Sequence, residues 1–386
     1  MSGCREAPEA PLDEGQAAAV GCRPSSVAGS RAAPPVSVGL PVYNGERFLP
    51  QTLDDLLGQT YADFELVVCD NASADATEEI CREAAARDPR VRYVRNRRNL
   101  GALPNANLAF RLSRGARYAL AGHDDRHASD FLARLVEALD ADPGAALAYG
   151  DATLVGERGR PFRRRAGHGD YVDAEGRAYG YDAALQRPLG GGPVARYRAV
   201  LRSNDINAPI HGLFRRSVLE RVGPHRVHGS DRLIVAHAAL LGRFAYVDAP
   251  LFGYRIHAGS TLHLTRAAWL ARETGRADAG SPLDGARTLG RYLAATSRAG
   301  LGPRQRAGAA AATLGYALRA DALRRALLPG PDNYWGWTGA DAPPAPPAPG
   351  TSPDVDDERW RWLAEGDREK VEAGSESFGR RRALDR

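Results

Sequence analysis

Between Val36 and Tyr149, short apolar runs alternate with segments of helical period, and this alternation restricts the fold more than any other feature. The expected strands are Val36–Val42, Phe64–Asp70, Val91–Arg95, Tyr118–Gly122 and Ala146–Tyr149. Between them lie expected helices at Glu46–Gln59, Ala76–Arg87, Pro104–Ser113 and Ser129–Leu139. In the first helix Phe48, Leu49, Leu53, Leu56 and Leu57 recur at the spacing of one helix face laid on a sheet. Strands that read as unbroken apolar runs belong to a mostly parallel sheet covered on both faces. Ligands of such sheets bind beyond the carboxyl ends of the strands, so the residues just past each run are where chemistry is expected.

The first run passes into Leu40-Pro41-Val42-Tyr43-Asn44-Gly45-Glu46, and the second into Cys69-Asp70-Asn71-Ala72-Ser73-Ala74-Asp75. A carboxylate at Asp70 can accept hydrogen bonds from a base N–H, whereas Asp75 equally suits a helix cap. Asn99-Leu100-Gly101 follows the third run, with a glycine that permits close backbone approach. The fourth ends in His123-Asp124-Asp125. Two adjacent acids sharing a buried site are costly without a cation, and a divalent ion that bridges them to a diphosphate removes that cost. A solvated acidic pair is the plainer reading of the same residues, and position at a strand end weighs against it.

Taken together, Val36 to Asp75, Asn99-Leu100-Gly101 and His123-Asp124-Asp125 resemble the family 2 inverting glycosyltransferases of GT-A fold, over roughly Val36–Ser260. The resemblance implies an α/β nucleotide-diphospho-sugar transferase fold, with a mostly parallel central sheet flanked by helices and a C-terminal helical extension. It also implies that Pro41, Val42, Tyr43, Glu46 and Asp70 hold the nucleotide of a sugar donor, with Asn99, Gly101, Asp124 and Arg255 as further donor contacts. The family's Asp-x-Asp metal motif falls on His123-Asp124-Asp125, a departure that puts histidine in the first acidic position. Asp125 and His257 are the resulting candidates for binding Mn2+ or Mg2+, with Asp124 turned to the sugar or ribose. The family's catalytic carboxylate falls in Gly229-Ser230-Asp231-Arg232-Leu233-Ile234, where Ser230 replaces a glutamate and Asp231 becomes the candidate base. Asp231 also suits a helix N-cap, and the two roles are compatible. In Tyr254-Arg255-Ile256-His257, Arg255 and His257 are placed to meet phosphate or metal. His211 and His237 read first as structural, although Asn207 and His211 lie in a segment that borders the acceptor cleft of such enzymes.

The remaining organisation follows from composition. Residues 1–35 read as a disordered arm, 36–150 as the donor half and 151–265 as the acceptor half of one domain. Residues 266–330 read as a helical extension, and 331–386 as a Pro/Ala linker with an acidic tail. Past Asp151 the expected elements are strand Ile210–Arg215, helices Ser217–Val222 and Asp231–Leu241, strands Phe244–Val247 and Leu251–Ile256, and helix Pro303–Leu328. The net charge is +5, with Lys370 the single lysine. Residues 157–226 hold 14 arginines against 7 acids, a local +7 that suits an anionic acceptor or membrane surface. No nucleic-acid motif accompanies these arginines, and no run approaches the ~20 apolar residues of a spanning helix. A cytoplasmic protein, with peripheral contact at the inner membrane face, is the expectation. The four cysteines lack zinc or disulfide spacing.

Other classes fit less well. A nucleotidyltransferase needs a glycine-rich loop with Arg and Lys after the first strand, and a dehydrogenase needs Gly-x-Gly-x-x-Gly there. The chain has Leu-Pro-Val-Tyr-Asn instead. A non-catalytic binding or scaffold protein of the same fold is the remaining alternative, favoured by His123 and Ser230 and opposed by Asp125 with Asp231.

Overall fold

The computed structural model describes residues 33–164, 170–173, 176, 178–180, 188–203, 207–223, 230–257 and 282–318. The expected arm up to residue 32, the linker and tail at 331–386, Gly229, and the parts of the extension at 266–281 and 319–330 lie outside the described residues. Among the described residues, no helix is long and apolar enough to cross a membrane.

The chain runs β1 (Val36–Val42), α1 (Leu49–Leu57), β2 (Phe64–Asp70), α2 (Thr77–Arg87), β3 (Val91–Arg95), α3 (Ala102–Leu112), β4 (Arg117–Leu120), β5 (Arg126–His127), α4 (Phe131–Ala141) and β6 (Ala145–Val155). It continues with β7 (Arg163–Arg164), β8 (Asp170–Val172), β9 (Ala178–Gly180), α5 (Pro193–Arg202), α6 (Asn207–Ile210), β10 (Leu213–Arg215) and α7 (Arg216–Val222). Last come α8 (Ser230–Leu241), β11 (Arg243–Arg255), α9 (Pro282–Arg298) and α10 (Pro303–Ala317). The main sheet has the order β3-β2-β1-β4-β10-β6-β11-β5. β1 to β4 are parallel, β10 is inserted antiparallel between β4 and β6, β11 is parallel to β6, and β5 is antiparallel to β11. The α/β fold with a mostly parallel sheet flanked by helices is therefore the one expected. In register, Val42 faces Asp70 and Asp70 faces Arg95, so the carboxyl ends of three strands finish level.

β1 to β3 have the expected limits: β1 and β2 are buried runs, whereas β3, at the sheet edge, sets buried Val91 and Val94 among half-buried Arg92, Tyr93 and Arg95. Elsewhere polar pairing moves the boundaries. β6 extends to Val155, well past the expected Tyr149, because buried Asp151 in its extension is bonded to the Tyr246 hydroxyl of β11. The two strands expected at 244–247 and 251–256 are one strand, β11, whose register slips at Pro250, a residue with no N–H to give the ladder. The strand expected from Ile210 is shorter: Asn207–Ile210 forms a helical turn and β10 begins at Leu213. The small sheet β7-β8-β9 and helix α5 were not read in the loosely patterned segment after Asp151.

Two cores flank the sheet. One joins Leu40, Leu49, Leu56, Leu132 and Leu135 beneath α1 and α4. The other joins Tyr149, Tyr197, Val235, Phe244 and Tyr292, packing α5, α8 and α9 on β6 and β11. α10 belongs to this second core, and the Tyr197 hydroxyl bonds Thr313 at 2.7 Å. Gly39 is required in β1: a Cβ there would lie 2.0 Å from the Tyr118 hydroxyl, which crosses the strand.

At the opposite, amino end of the parallel strands, buried Glu65 ties four segments together. Its Oε1 accepts from the Ser37 hydroxyl at 2.7 Å and the Arg114 N–H at 2.6 Å, and its Oε2 from Arg92 and Arg114 at 3.0 Å each. Burial pushes the Glu65 carboxyl up, and the hydrogen bonds from Ser37, Arg114 and Arg92 outweigh it, so the net shift is downward. A depressed carboxylate stabilises the fold above its unfolded pKa, and that stability is lost as pH falls through the folded value. Glu65→Gln should therefore cost about 2 kcal/mol at pH 7. Urea unfolding should show the gap between variant and wild type narrowing below pH about 4.

Candidate active site

Two loops interlock at the carboxyl ends of β1 and β2. Asn44 and Ala72 take left-handed backbone, with φ of 50° and 64°, which Asn adopts more readily than Ala. The Asn44 N–H donates to the Ser73 hydroxyl at 2.9 Å, and the Asn44 side-chain oxygen accepts from Ala74 N–H at 2.9 Å. Gly45 N–H donates to Thr77 Oγ1 at 2.8 Å. Glu46 and Asp75 complete a reciprocal pair: Glu46 N–H donates to Asp75 at 3.1 Å and Glu46 Oε2 accepts from Ala76 N–H at 3.0 Å. Asp75 also accepts the Thr77 N–H at 3.1 Å, but the N-cap of α2 is Ala76, so Asp75 stands one residue before the cap position expected of it. Among the expected donor contacts on this loop, Pro41 and Val42 end β1, Glu46 is held in the loop, and Tyr43 is exposed.

Asp70 is fully buried at the end of β2. Its Oδ1 accepts from Ser73 N–H at 2.9 Å, and its Oδ2 accepts from the Tyr93 hydroxyl and from Arg95, each at 2.8 Å. Next to it an asparagine network that the sequence reading missed fixes the 96–101 loop. Asn71 Nδ2 donates to Asn99 Oδ1 at 2.8 Å and to the Gly101 carbonyl at 3.1 Å. Its Oδ1 accepts from Asn96 Nδ2 at 3.1 Å and Leu100 N–H at 2.9 Å. Asn96 continues to Asn105, whose amide donates to the Cys69 carbonyl at 2.7 Å. Gly101 has φ 89°, a value that favours glycine. Four asparagines at 71, 96, 99 and 105 around one loop were the available signal.

The aspartate pair leaves β4 and meets the end of β11. Asp124 Oδ2 lies 2.9 Å from His257 Nε2, and its Oδ1 lies 3.9 Å from His123 Nδ1. Asp125 is buried, and its Oδ1 accepts the Arg255 main-chain N–H at 3.0 Å. His257 thus joins Asp124, where the sequence reading paired it with Asp125. Burial pushes the Asp124 carboxyl up, but His123 and His257 hold it well below the usual range. Burial and the Asp124 charge together push Asp125 well above that range. Arg255, expected to meet phosphate, is enclosed: its guanidinium donates to the carbonyls of Asp124, Gly156 and Glu157 and to the Gln51 side chain. It packs over the Phe48 ring at 4.8 Å, which also meets the His257 ring at 4.7 Å.

The donor set suits a divalent ion in one respect. Two ligands at about 2.1 Å and right angles stand roughly 3 Å apart, close to the 2.9 Å between Asp124 Oδ2 and His257 Nε2. No group of three or more His, Cys, Asp or Glu side chains is arranged around one point among the described residues. The carboxylate suits Mn2+ or Mg2+, which also takes substrate phosphate oxygens, whereas the imidazole is a softer ligand that hard Mg2+ accepts less readily.

Asp231 stands half-buried in the first turn of α8. The helix is anchored by Arg232, which donates to the Val200 and Ser203 carbonyls of α5. Burial lowers the pKa of the His211 ring, offset in part by the Leu120 bond and the Asp231 and Asp124 charges. His237 is buried inside α8, and burial pushes its ring down to about 4, in keeping with the structural reading. Nothing is described of the Asn207 side chain.

Comparison with known proteins bears on the family and the fold. The sequence model described as Glycosyl transferase family 2 matches residues 37–223. An uncharacterized protein of Sinorhizobium fredii is 30% identical over 254 residues, 63% of this chain and 25% of that protein. The chondroitin synthase of Escherichia coli is 38% identical over 82 residues, 21% of this chain and 12% of the synthase. The glycosyltransferase GlyA of Streptococcus pneumoniae is 33% identical over 100 residues, 26% of this chain and 14% of that protein. The chain thus spans a quarter or less of the length of these curated relatives. Among solved structures, S. aureus TarS 1–349 in complex with UDP-GlcNAc superposes with a TM-score of 0.51 at 15% identity. The match covers 75% of this chain and 78% of that one, and it shows the GT-A fold.

The asparagine hub gives a direct test. Asn71→Ala removes four hydrogen bonds at a buried position, at an expected cost of about 2–3 kcal/mol. Hydrogen exchange should rise at residues 99–101 before it rises in β1 or β2.

Proposed function

Residues 37–223 belong to the glycosyl transferase family 2, and on that premise we propose that the protein moves a sugar from a nucleoside-diphosphate donor to an acceptor hydroxyl, inverting the anomeric carbon. The observation that supports this reading is the convergence of Asp70 at the end of β2 with the Asp124–His257 pair past β4, where the carboxyl ends of β1, β2 and β3 finish level.

Each residue has a task in that reading. Asp70, held by Tyr93 and Arg95, and the loop Asn99–Gly101, held by Asn71, line the nucleotide side. Pro41, Val42, Tyr43 and Glu46 form the opposite wall. Asp231 takes the proton of the acceptor hydroxyl as its oxygen bonds to the anomeric carbon. The bond from that carbon to the diphosphate breaks, and the electron pair leaves with the diphosphate. No covalent enzyme intermediate is needed. Base assistance of this kind contributes typically 10²–10⁴-fold. Mn2+ or Mg2+, when bound, supplies positive charge for the departing diphosphate. Asp124 and His257 would hold it, with Asp125 beside them. Arg255 holds the Asp124 carbonyl through its guanidinium and the Asp125 carboxylate through its main-chain N–H.

The acceptor is a glycan, a lipid-linked sugar or a small-metabolite hydroxyl, and the arginine-rich 157–226 segment favours an anionic one. A cytoplasmic setting, with peripheral contact at the inner face of a membrane, suits that acceptor. TarS binds UDP-GlcNAc, so uridine sugars are the first donors to try.

A thermal-shift screen of UDP-, dTDP- and GDP-sugars with Mn2+ should find a stabilising donor. Asp231→Asn should keep that shift and lose turnover by at least about 10². Loss of the shift instead would make Asp231 a binding or structural residue. Asp125→Ala and His257→Ala should each reduce the metal-dependent part of the shift, and an unchanged Mn2+ response in both would remove the metal assignment.

A further inference from the structure

We infer that His211 orients the acceptor: its Nε2 lone pair receives the hydrogen bond of the attacking hydroxyl and holds that oxygen beside Asp231. The inference rests on the glycosyltransferase reading and names a residue on the acceptor side of the same site.

The ring is fixed from three directions. Its Nδ1 lies 3.1 Å from the Leu120 carbonyl at the end of β4. Its face stacks on Phe252 of β11, with centroids 4.5 Å apart and planes 19° apart. Its backbone is pinned by Gly212, where a Cβ would come within 2.4 Å of the Ala148 carbonyl and 3.0 Å of the Tyr149 Cβ. A carbonyl oxygen only accepts, so Nδ1 must carry the proton. Burial, the largest influence on the ring, disfavours its charged form, partly offset by the Leu120 bond, Asp231 and Asp124. In a neutral ring with Nδ1–H, Nε2 is an acceptor. An acceptor nitrogen in the field of two carboxylates attracts a hydroxyl proton, not another oxygen lone pair.

The other buried histidines differ. His127 has Nδ1, and His237 has Nε2, enclosed without a hydrogen-bond partner among the described residues. His211 is only half-buried, and it precedes β10 at the edge of the sheet where β4 delivers Asp124 and Asp125. Asp231 still takes the proton. His211 sets the direction from which the hydroxyl approaches.

Two variants separate the nitrogens. In His211→Asn the amide can replace Nδ1–H toward Leu120 but offers nothing at Nε2. In His211→Gln the side-chain oxygen can reach the Nε2 position. With UDP-sugars as donors and methyl or nitrophenyl glycosides as acceptors, His211→Asn should raise acceptor KM about tenfold. Donor KM, donor hydrolysis in water and melting temperature should stay unchanged, and His211→Gln should recover part of the loss. Imidazole 15N spectra of the full chain should show His211 protonated at Nδ1 and bare at Nε2. A protonated Nε2, an unchanged acceptor KM in His211→Asn, or an equal loss of donor affinity and melting temperature in both variants overturns the assignment. Wild type that turns over no nucleotide sugar sinks the glycosyltransferase reading instead, and the spectra still decide the ring.

Discussion

Two adjacent carboxylates in a buried loop are the constraint around which this structure is arranged. Asp124 and Asp125 repel each other, and burial raises the cost of charging either. The end of β11 answers that cost from 130 residues further along the chain. It offers a main-chain N–H to Asp125, a guanidinium to the Asp124 carbonyl and an imidazole to the Asp124 side chain. The strands of the first half therefore do not complete their own carboxyl ends. They need β11, which in turn needs β6 and the second core to hold it in line.

That dependence explains how α9 and α10 are used. They pack on the face of the sheet behind β6 and β11, through Tyr292, Ala309 and the Tyr197–Thr313 bond. The helical extension is thus continuous with the acceptor half and buttresses the strand that closes the aspartate pair. Glu65 does comparable work at the far end of the parallel strands, where it joins Ser37, Arg92 and Arg114.

The fold was legible where apolar residues run without interruption. β1 and β2 follow directly from their sequences because burial on both faces leaves no other arrangement for such runs, and the edge strand β3 follows from its β-branched and aromatic residues. Legibility failed where a polar residue sits in a strand with a partner far away, as Asp151 does with Tyr246. It failed too where a proline breaks the pattern without ending the strand, as in β11. The site shows the same division. Asp70, Asp124, Asp125 and Asp231 could be named because strand ends and helix starts are local features. The role of Arg255 could not, since its carbonyl partners on 124, 156 and 157 come together only in three dimensions. The asparagine network has no periodic signature at all.

The reversed direction of β10 has a consequence for how such a scaffold diversifies. A parallel strand presents the residues that follow it to the ligand, whereas an antiparallel strand in the same sheet presents those that precede it. The exit loops of β1, β2 and β4 therefore lie at the same end of the sheet as the entry segment of β10. These segments belong to separate stretches of chain and share no turn. Changes in one can accumulate while the other is preserved, so one wall of the cleft can be altered by exchanging a short piece of sequence.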